Sequence, residues 1–209
     1  MIADERVLGR PLAGFEHVQR FYDPRLGKVS SYILPGEYFV TDGDDVVSTV
    51  LGSCVAACIW DPVARLGGMN HFMIPGTDAN GSMGAASAPA SGRYGIFAME
   101  LLVNAILKHG GDRSRLLVKL VGGGYVTPSS YCVGDANVAF AREYVTREGF
   151  RLVAEHVGGH KARRLIFHPR TGRSKVSELS ATVPDSFAQR EQDYAATVDR
   201  TPAGAVEIF

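Results

Sequence analysis

Cys54 and His71 are the residues of this chain whose types and spacing best fit a chemical reaction. Cys54 follows Gly52 and Ser53 in the stretch LGSCVAACIW, and His71 lies in the stretch GMNHFMIP. A cysteine is nucleophilic as the thiolate, and a neighbouring imidazole can take the thiol proton. A glycine before the nucleophile lets a substrate approach, and backbone N–H groups near Gly52 and Ser53 can stabilise an oxyanion. These residues predict nucleophilic catalysis by a thiol.

The link between the two stretches predicts that Cys54 and His71 share one face of a sheet. The Asp-Pro pair at 61–62 is typical of the start of a type I turn. A turn centred on residues 62–63 would pair the flanking strands so that Cys54 lies directly opposite His71, with their Cβ atoms about 5 Å apart. A bulge at the glycine pair 67–68 would instead turn His71 to the other face.

Other interpretations of these residues stay open at this stage. A buried cysteine that only packs is the alternative for Cys54, and a hydrogen-bonded structural histidine is the alternative for His71. Cys58 is interpreted as a core residue, and Cys132 is placed in a loop without an evident partner. Cys54 and Cys58 on one strand face would be about 13 Å apart, too far for one metal ion. No metal and no cofactor are predicted.

Composition predicts a soluble protein without a strong global charge. The chain has 209 residues, of which 45% are hydrophobic, and its 22 Lys and Arg balance its 22 Asp and Glu. That length buries one substantial core. Zero net charge provides no field that attracts nucleic acid or an anionic membrane. Short apolar runs and a charged N-terminus predict no membrane insertion and a cytoplasmic location.

Strand patterns outnumber helix patterns along the chain. Helices are predicted from Ser91 to the glycines at 110–111 and from Asp135 to Gly149, and the glycine-rich stretch 77–92 is predicted to be a mobile surface loop. Strands are predicted within 44–58 (interrupted at Gly52), 68–76, 115–124, 150–156, 164–168 and 174–179. Because the helices do not alternate regularly with strands, the pattern predicts an α+β fold of stacked, mostly antiparallel or mixed β-sheet layers flanked by two main helices.

Three parts of the chain are distinguished by their composition. Residues 1–35 mix aromatic residues with turn residues and are expected to form an extended N-terminal arm. Residues 36–180 contain the predicted elements and the candidate thiol, so they are expected to form a cysteine hydrolase domain. Residues 181–209 are expected to be a peripheral C-terminal tail.

Several motifs resemble those of one known family. The stretch TVLGSCVAACIWDPVARLGGMNHFMIP, followed by VGGGY, VGDANVAF and GGHKARRLIFHPRTG, is similar to the signature of the chemoreceptor glutamine deamidases, the CheD family of bacterial chemotaxis. The resemblance extends over about residues 20–180. One departure is Ala136, because the family often has arginine immediately before Asn137.

The resemblance implies a protein-glutamine deamidase that converts glutamine side chains of chemotaxis receptors to glutamate and releases ammonia. Its nucleophile falls on Cys54 and its histidine on His71. The family's third residue, a threonine six positions before the cysteine, falls on Ser48, which has Thr49 beside it. Ser48 is therefore expected to orient His71. A fold similar to toxin-type cysteine deamidases is also implied.

The resemblance further implies methyl-accepting chemotaxis receptors as substrates and, in some members, a CheC-type phosphatase as a partner. Two alternatives to the deamidase remain. One is a non-catalytic adaptor that regulates such a phosphatase, and the other is a small-molecule amidase or thiol peptidase that uses the same pair of residues.

Overall fold

Two five-stranded sheets and two helices make up most of the molecule. The computed structural model describes residues 8–74, 88–126, 131–179 and 193–194, with the backbone alone at 88–93 and 131–132. The strands are β1 (Gln19–Asp23), β2 (Lys28–Tyr32), β3 (Tyr38–Thr41), β4 (Val46–Leu51), β5 (Val55–Asp61), β6 (Leu66–Asn70), β7 (Leu117–Gly122), β8 (Arg151–Val157), β9 (Arg163–His168) and β10 (Arg173–Glu178). The helices are α1 (Ala88–Lys108) and α2 (Tyr131–Arg147), with a 3-10 turn at Arg113–Arg115.

Both sheets are mixed. The first has the order β1-β2-β4-β9-β10 and the second the order β3-β6-β5-β7-β8. Neighbouring strands are antiparallel except for two parallel pairs, β2 with β4 and β7 with β8. The α+β prediction is therefore confirmed.

The two sheets stack, and both helices cover the outer face of the second sheet. Helix α1 packs on β3 and β6, and α2 packs on β5 and β7. On the opposite face, Trp60 of β5 meets Phe167 of β9 with ring centroids 6.0 Å apart. Strand β5 lies at the centre, and all seven of its residues are buried. An apolar run such as VAACIW fits a strand that is covered on both faces.

The turn between β5 and β6 is longer than the sequence indicated. Asp61 pairs with Leu66, so the loop contains the four residues 62–65, and Arg65 adopts a φ of 55°. The Asp61 carboxylate accepts hydrogen bonds from the backbone N–H groups of Val63 and Ala64 at 2.8 and 3.1 Å. The predicted turn centred on 62–63 is therefore wrong, because this carboxylate closes a wider loop.

The longer loop shifts the pairing of β5 with β6 by two residues. Val55 and Phe72 exchange backbone hydrogen bonds of 3.0 and 2.9 Å at the far end of the same register. His71 is therefore not directly opposite Cys54, whose opposite position is Met73. Because side chains alternate with a period of two, a shift of two residues keeps Cys54 and His71 on the same face as diagonal neighbours.

Both helices begin earlier than predicted. Helix α1 starts at Ala88, inside the predicted loop 77–92, of which residues 77–87 lie outside the described part of the chain. A proline at the second helical position is compatible with this start, because the first turn needs no N–H donor there. Helix α2 starts at Tyr131, so Cys132 lies in its first turn and not in a loop. Asp135 does not cap this helix, and its carboxylate accepts a hydrogen bond from the Tyr125 hydroxyl.

The segment expected to be an extended arm contributes to the first sheet. Strands β1 and β2 form a hairpin in which Gln19 pairs with Tyr32, and β2 joins β4 through pairs such as Ser31 with Val47. Of the expected C-terminal tail, the structure describes residues 193–194, and Tyr194 packs against the core. Within the described residues, no helix is long and apolar enough to cross a membrane.

Candidate active site

Cys54 lies on a short connection between the two sheets. Strand β4 of the first sheet ends at Leu51, and β5 of the second sheet begins at Val55. The carbonyl oxygens of the three connecting residues accept hydrogen bonds from neighbouring segments: Gly52 from the Gly124 N–H (2.7 Å), Ser53 from the Asn137 side-chain amide (2.9 Å) and Cys54 from the Gly123 N–H (2.7 Å). The connection is thus fixed on both sides of the thiol.

The backbone of the glycine run at 122–124 lies against this connection and leaves little room for side chains. Gly122 has a φ of 122°, and a Cβ atom there would lie 2.1 Å from the Cys54 carbonyl oxygen. A side chain at Gly122 is excluded both by its backbone conformation and by the backbone beside it.

His71 follows β6, and its main chain is held by the loop before β3. Its N–H donates to the Glu37 carbonyl at 2.9 Å, and its carbonyl accepts from the Gly36 N–H at 2.7 Å. The side chain points between the sheets, where Nδ1 lies 2.8 Å from the Thr49 hydroxyl oxygen. That hydroxyl donates its proton to the Ile33 carbonyl at 2.8 Å. Since Thr49 has one hydroxyl proton, it accepts the second hydrogen bond, which assigns a proton to His71 Nδ1 and the lone pair to Nε2.

The structure brings Thr49, not Ser48, into contact with His71. The Ser48 hydroxyl points to the other face of β4 and lies 2.9 Å from the Ser30 hydroxyl. Neighbouring residues of a strand point to opposite faces, and Thr49 is the one that faces the second sheet. The expected contact between Ser48 and His71 is therefore replaced by a contact one residue later.

The imidazole of His71 is neutral at neutral pH. Burial lowers its pKa to about 3, and its side chain is almost fully buried, with 1% of the residue exposed. Among the described residues, Nε2 has no hydrogen-bond partner. A buried, unprotonated ring nitrogen held in one tautomer has the properties of a general base.

The two cysteines near β5 differ in their surroundings. Cys58 pairs with Met69 and Lys119 within the second sheet, and burial raises the pKa of its thiol far above the ordinary range. Cys54 is also fully buried, but it lies just before the start of β5, on the same face as His71. Cys58 therefore has the environment of a packing residue, as the sequence indicated.

Two tyrosines lie close to Cys54. The Tyr94 and Tyr194 hydroxyls are hydrogen bonded to each other, and a Cβ atom on Gly36 would lie 2.7 Å from the Tyr194 ring. Burial raises the pKa values of both phenols, the hydrogen bond to Tyr94 raises that of Tyr194 further, and a thiolate at Cys54 would raise both. Tyr194 thus connects the C-terminal part of the chain to the loop that holds His71, and this contact was not expected for a peripheral tail.

Asn137 is a site residue that the sequence reasoning missed. It lies on α2, has no exposed surface, and joins the Cys54 connection to the segment after His71. Its amide donates to the Ser53 carbonyl at 2.9 Å and accepts from the Ile74 N–H at 2.8 Å. The available signal was a polar residue on the apolar stripe of an amphipathic helix, where Ala141 and Tyr144 are also buried.

The cavity beside His71 is small. It has a volume of about 50 Å³ and is lined by residues that include Tyr94 and Phe97. A cleft of about 730 Å³ lies at the other end of β5, around Arg113 and Arg151, far from the thiol. Within the described part of the chain, no group of three or more His, Cys, Asp or Glu side chains is placed to hold a metal ion.

Comparisons with known proteins identify the family. A family model for "CheD chemotactic sensory transduction" matches residues 73–178, a range that begins just after His71. Proteins named "Probable chemoreceptor glutamine deamidase CheD" are similar over most of the chain. The one from Rhodopseudomonas palustris (strain BisA53) is 44% identical and aligns over 93% of this chain and 91% of its own length. The one from Halorhodospira halophila is 42% identical and aligns over 95% of this chain and 93% of its own length. The one from Hydrogenovibrio crunogenus is also 42% identical and aligns over 92% of this chain and 100% of its own length.

A crystal structure of the Neisseria meningitidis protein NMB0706 (family model DUF152) superposes with a TM-score of 0.40 at 10% identity, covering 65% of this chain and 66% of that protein. The family rests on the sequence relatives alone. With several relatives at least 42% identical over more than nine-tenths of its length, this chain belongs to the CheD family.

Proposed function

We propose that this protein deamidates glutamine side chains of chemotaxis receptors, with Cys54 as nucleophile and His71 as general base. The family membership supports the substrate class, because the relatives are named chemoreceptor glutamine deamidases. The observation that carries the chemistry is the hydrogen-bond chain from the Ile33 carbonyl through Thr49 to His71 Nδ1. It leaves the lone pair of Nε2 available on the face of the sheet that Cys54 shares.

The first half of the reaction forms a thioester. His71 Nε2 takes the Cys54 thiol proton as the sulfur attacks the carboxamide carbon of the glutamine. Because burial keeps the imidazole neutral in the resting enzyme, proton transfer accompanies the attack and no ion pair is needed beforehand. The tetrahedral intermediate then loses its C–N bond, and the proton on Nε2 passes to the leaving nitrogen, which departs as ammonia.

The second half releases glutamate. His71 Nε2 takes a proton from a water molecule that attacks the thioester carbon, the C–S bond breaks, and the sulfur leaves with that proton. Thr49 remains the acceptor for Nδ1–H in both halves and stabilises the imidazolium that forms transiently. Thr49 takes the orienting role that the sequence assigned to Ser48.

Backbone groups around Gly52 and Ser53 are the proposed oxyanion donors. The Ser53 carbonyl points to Asn137 on α2, and the two sides of a trans peptide point in opposite directions. The Cys54 N–H is therefore directed away from the helix. Its position beside the thiol supports a role in stabilising the negative oxygen of the tetrahedral intermediate.

The proposed partners are methyl-accepting receptors in the cytoplasm. Cys54 has no exposed surface, so a receptor glutamine has to displace neighbouring groups before it reaches the sulfur. A CheC-type phosphatase is a second proposed partner and rests on the family resemblance alone.

Ammonia release from a receptor fragment tests this function. The protein is mixed with a receptor cytoplasmic fragment, with free glutamine or with casein, and ammonia and the mass increase at individual glutamines are followed. We expect ammonia release with the receptor fragment and not with free glutamine or casein. Release from free glutamine or casein would favour a general amidase or a thiol peptidase. No release from any substrate, together with stimulation of a CheC-type phosphatase, would favour the adaptor.

A further inference from the structure

The Asn137 amide occupies a position where the β5–β6 ladder would otherwise continue. Val55 and Phe72 form a hydrogen-bonded pair, and Ser53 and Ile74 are the next such pair in the same register. A regular ladder would join the Ile74 N–H directly to the Ser53 carbonyl. Instead the N–H donates to Asn137 Oδ1 at 2.8 Å, and the carbonyl accepts from Asn137 Nδ2 at 2.9 Å.

The inserted amide holds two segments apart at the reacting residues. One segment carries Cys54, immediately after Ser53, and the other carries His71, three residues before Ile74. An amide between the two backbones separates them by more than one hydrogen-bond length, whereas direct pairing would bring them to the ordinary strand spacing of about 4.8 Å. The opening of the ladder therefore lies close in sequence to both proposed reacting residues, one on each segment.

An asparagine fits both hydrogen bonds at once. The Ile74 N–H needs an acceptor and the Ser53 carbonyl needs a donor, and a carboxamide offers both without charge on two separate atoms. Asn137 has no exposed surface, so water does not replace either bond without rearrangement. Helix α2 packs on β5 and β7 and supplies a rigid base for the side chain.

We propose that Asn137 is a positioning residue that sets the separation between the Cys54 sulfur and the His71 imidazole by keeping the Ser53–Ile74 pair open. The inference rests on the proposed deamidase function. It predicts that removal of the amide lets the two segments close or drift, while both reacting residues remain present. A misplacement of about 1 Å at a reacting centre costs up to about 100-fold in rate.

Kinetics of Asn137→Ala and Asn137→Asp test this role. The aspartate variant keeps the volume and an acceptor for Ile74 but has no donor for Ser53. For a receptor fragment, kcat is expected to fall by about 10- to 100-fold in each variant, with KM little changed because the receptor-binding surface is intact. Asp61→Asn is the matched control, since it alters a buried hydrogen-bonded carboxylate at the opposite end of β5 and is expected to keep kcat. Each protein is assayed at a temperature where near-ultraviolet circular dichroism reports native packing.

Alkylation of Cys54 by iodoacetamide gives a readout that a merely structural role would not change. The ratio of the alkylation rates at about pH 7 and about pH 9 reports how far His71 assists the thiol, whose ordinary pKa is about 8.5. Asn137→Ala is expected to lower this ratio towards the value of His71→Gln, and the double variant should show no further decrease. This measurement needs no receptor, so it separates a failure of the positioning role from a failure of the deamidase function. Wild-type ratios and wild-type kcat in both Asn137 variants would overturn the proposal.

Discussion

Buried polar groups at the two ends of strand β5 differ in how far their hydrogen bonds are satisfied. At the Asp61 end, the carboxylate has no exposed surface and accepts hydrogen bonds from Arg115 (2.7 Å to Nη2), from the Asp112 N–H (2.9 Å) and from two loop N–H groups. Burial raises the pKa of Asp61, but these donors more than offset it and hold the pKa well below its usual range. At the Cys54 end, His71 Nε2 is buried and has no partner among the described residues.

This difference separates a structural end from the end where we propose the reaction. A buried polar group that makes all its hydrogen bonds stabilises the fold. A buried ring nitrogen without a partner costs free energy of folding, and a catalytic role explains why that cost is tolerated. Cleft volume would point away from the proposed site, because the cleft of about 730 Å³ lies beside the Asp61 network. The cavity at His71 has about 50 Å³. Hydrogen-bond satisfaction is therefore the better guide to chemistry in this molecule.

The largest expected effect is the loss of the nucleophile. Cys54→Ala should abolish ammonia release from a receptor fragment and leave folding intact, because alanine is close to cysteine in size. Cys58→Ala, four residues further along the chain in β5, should keep activity and lose about 1 kcal/mol of stability, since a fully buried sulfur is removed. Turnover is followed by ammonia release and stability by urea unfolding. If the folded Cys54→Ala protein is active, the assignment of Cys54 as the nucleophile is wrong.

Removal of the orienting hydroxyl should have the next largest effect. Thr49→Val keeps the shape of the side chain but removes the acceptor for His71 Nδ1–H, so kcat should fall by about 10- to 100-fold. Thr49→Ser should restore much of the rate, because it keeps the hydroxyl. The matched control is Ser48→Ala, whose hydroxyl contacts Ser30 on the other face of β4. A loss of turnover in Ser48→Ala with normal turnover in Thr49→Val would reverse the assignment.

The sequence was sufficient to predict most strands and the shared face of Cys54 and His71, but not the register that pairs β5 with β6. Strand propensity and glycine punctuation located β4, β5 and β7, because these segments are apolar runs with clear stops. The turn prediction failed because Arg65 adopts a left-handed backbone conformation, which cannot be predicted from an arginine in the sequence. The prediction that Cys54 and His71 share a face remained correct because the register error was an even number of residues.

The third residue and Asn137 depend on contacts that sequence spacing does not encode. Thr49 lies in the first sheet and Cys54 on the connection to the second sheet, so counting residues along one continuous strand could not choose between Ser48 and Thr49. Asn137 reaches the site from a helix far along the chain, and its role depends on how α2 packs against β5. Tertiary packing decided both positions.

At the structural end of β5, a substitution should change stability without changing chemistry. Asp61→Asn keeps the size of the side chain but removes the charge that pairs with Arg115, so the free energy of unfolding should fall by about 1.5–3 kcal/mol. The kcat for a receptor fragment should stay at the wild-type value. Glu178→Gln, which removes an exposed pair with Lys161, should show no measurable loss in the same urea titration. Loss of turnover in a folded Asp61→Asn protein would show that the two ends of β5 are coupled.

The two ends should also differ in the pH range over which they lose stability. Burial lowers the pKa of His71 to about 3, below its unfolded value of about 6.5. Between these values the unfolded chain binds the proton and the folded protein does not, so the free energy of unfolding falls as the pH drops below about 6.5.

Asp61 behaves differently, because its folded pKa is lowered from an unfolded value near 3.8, and its contribution is lost only below that pH. His168 adds to the slope in the His71 window, since burial and the charges of Lys28 and Arg173 lower its pKa as well. Urea titrations at about pH 7, 6 and 5 should therefore show a slope approaching about 1.4 kcal/mol per pH unit for each such histidine. The slope should be smaller in His71→Gln and unchanged in Asp61→Asn. An unchanged slope in His71→Gln would mean that His71 binds its proton at the same pH in the folded and unfolded protein, which contradicts a pKa lowered by burial.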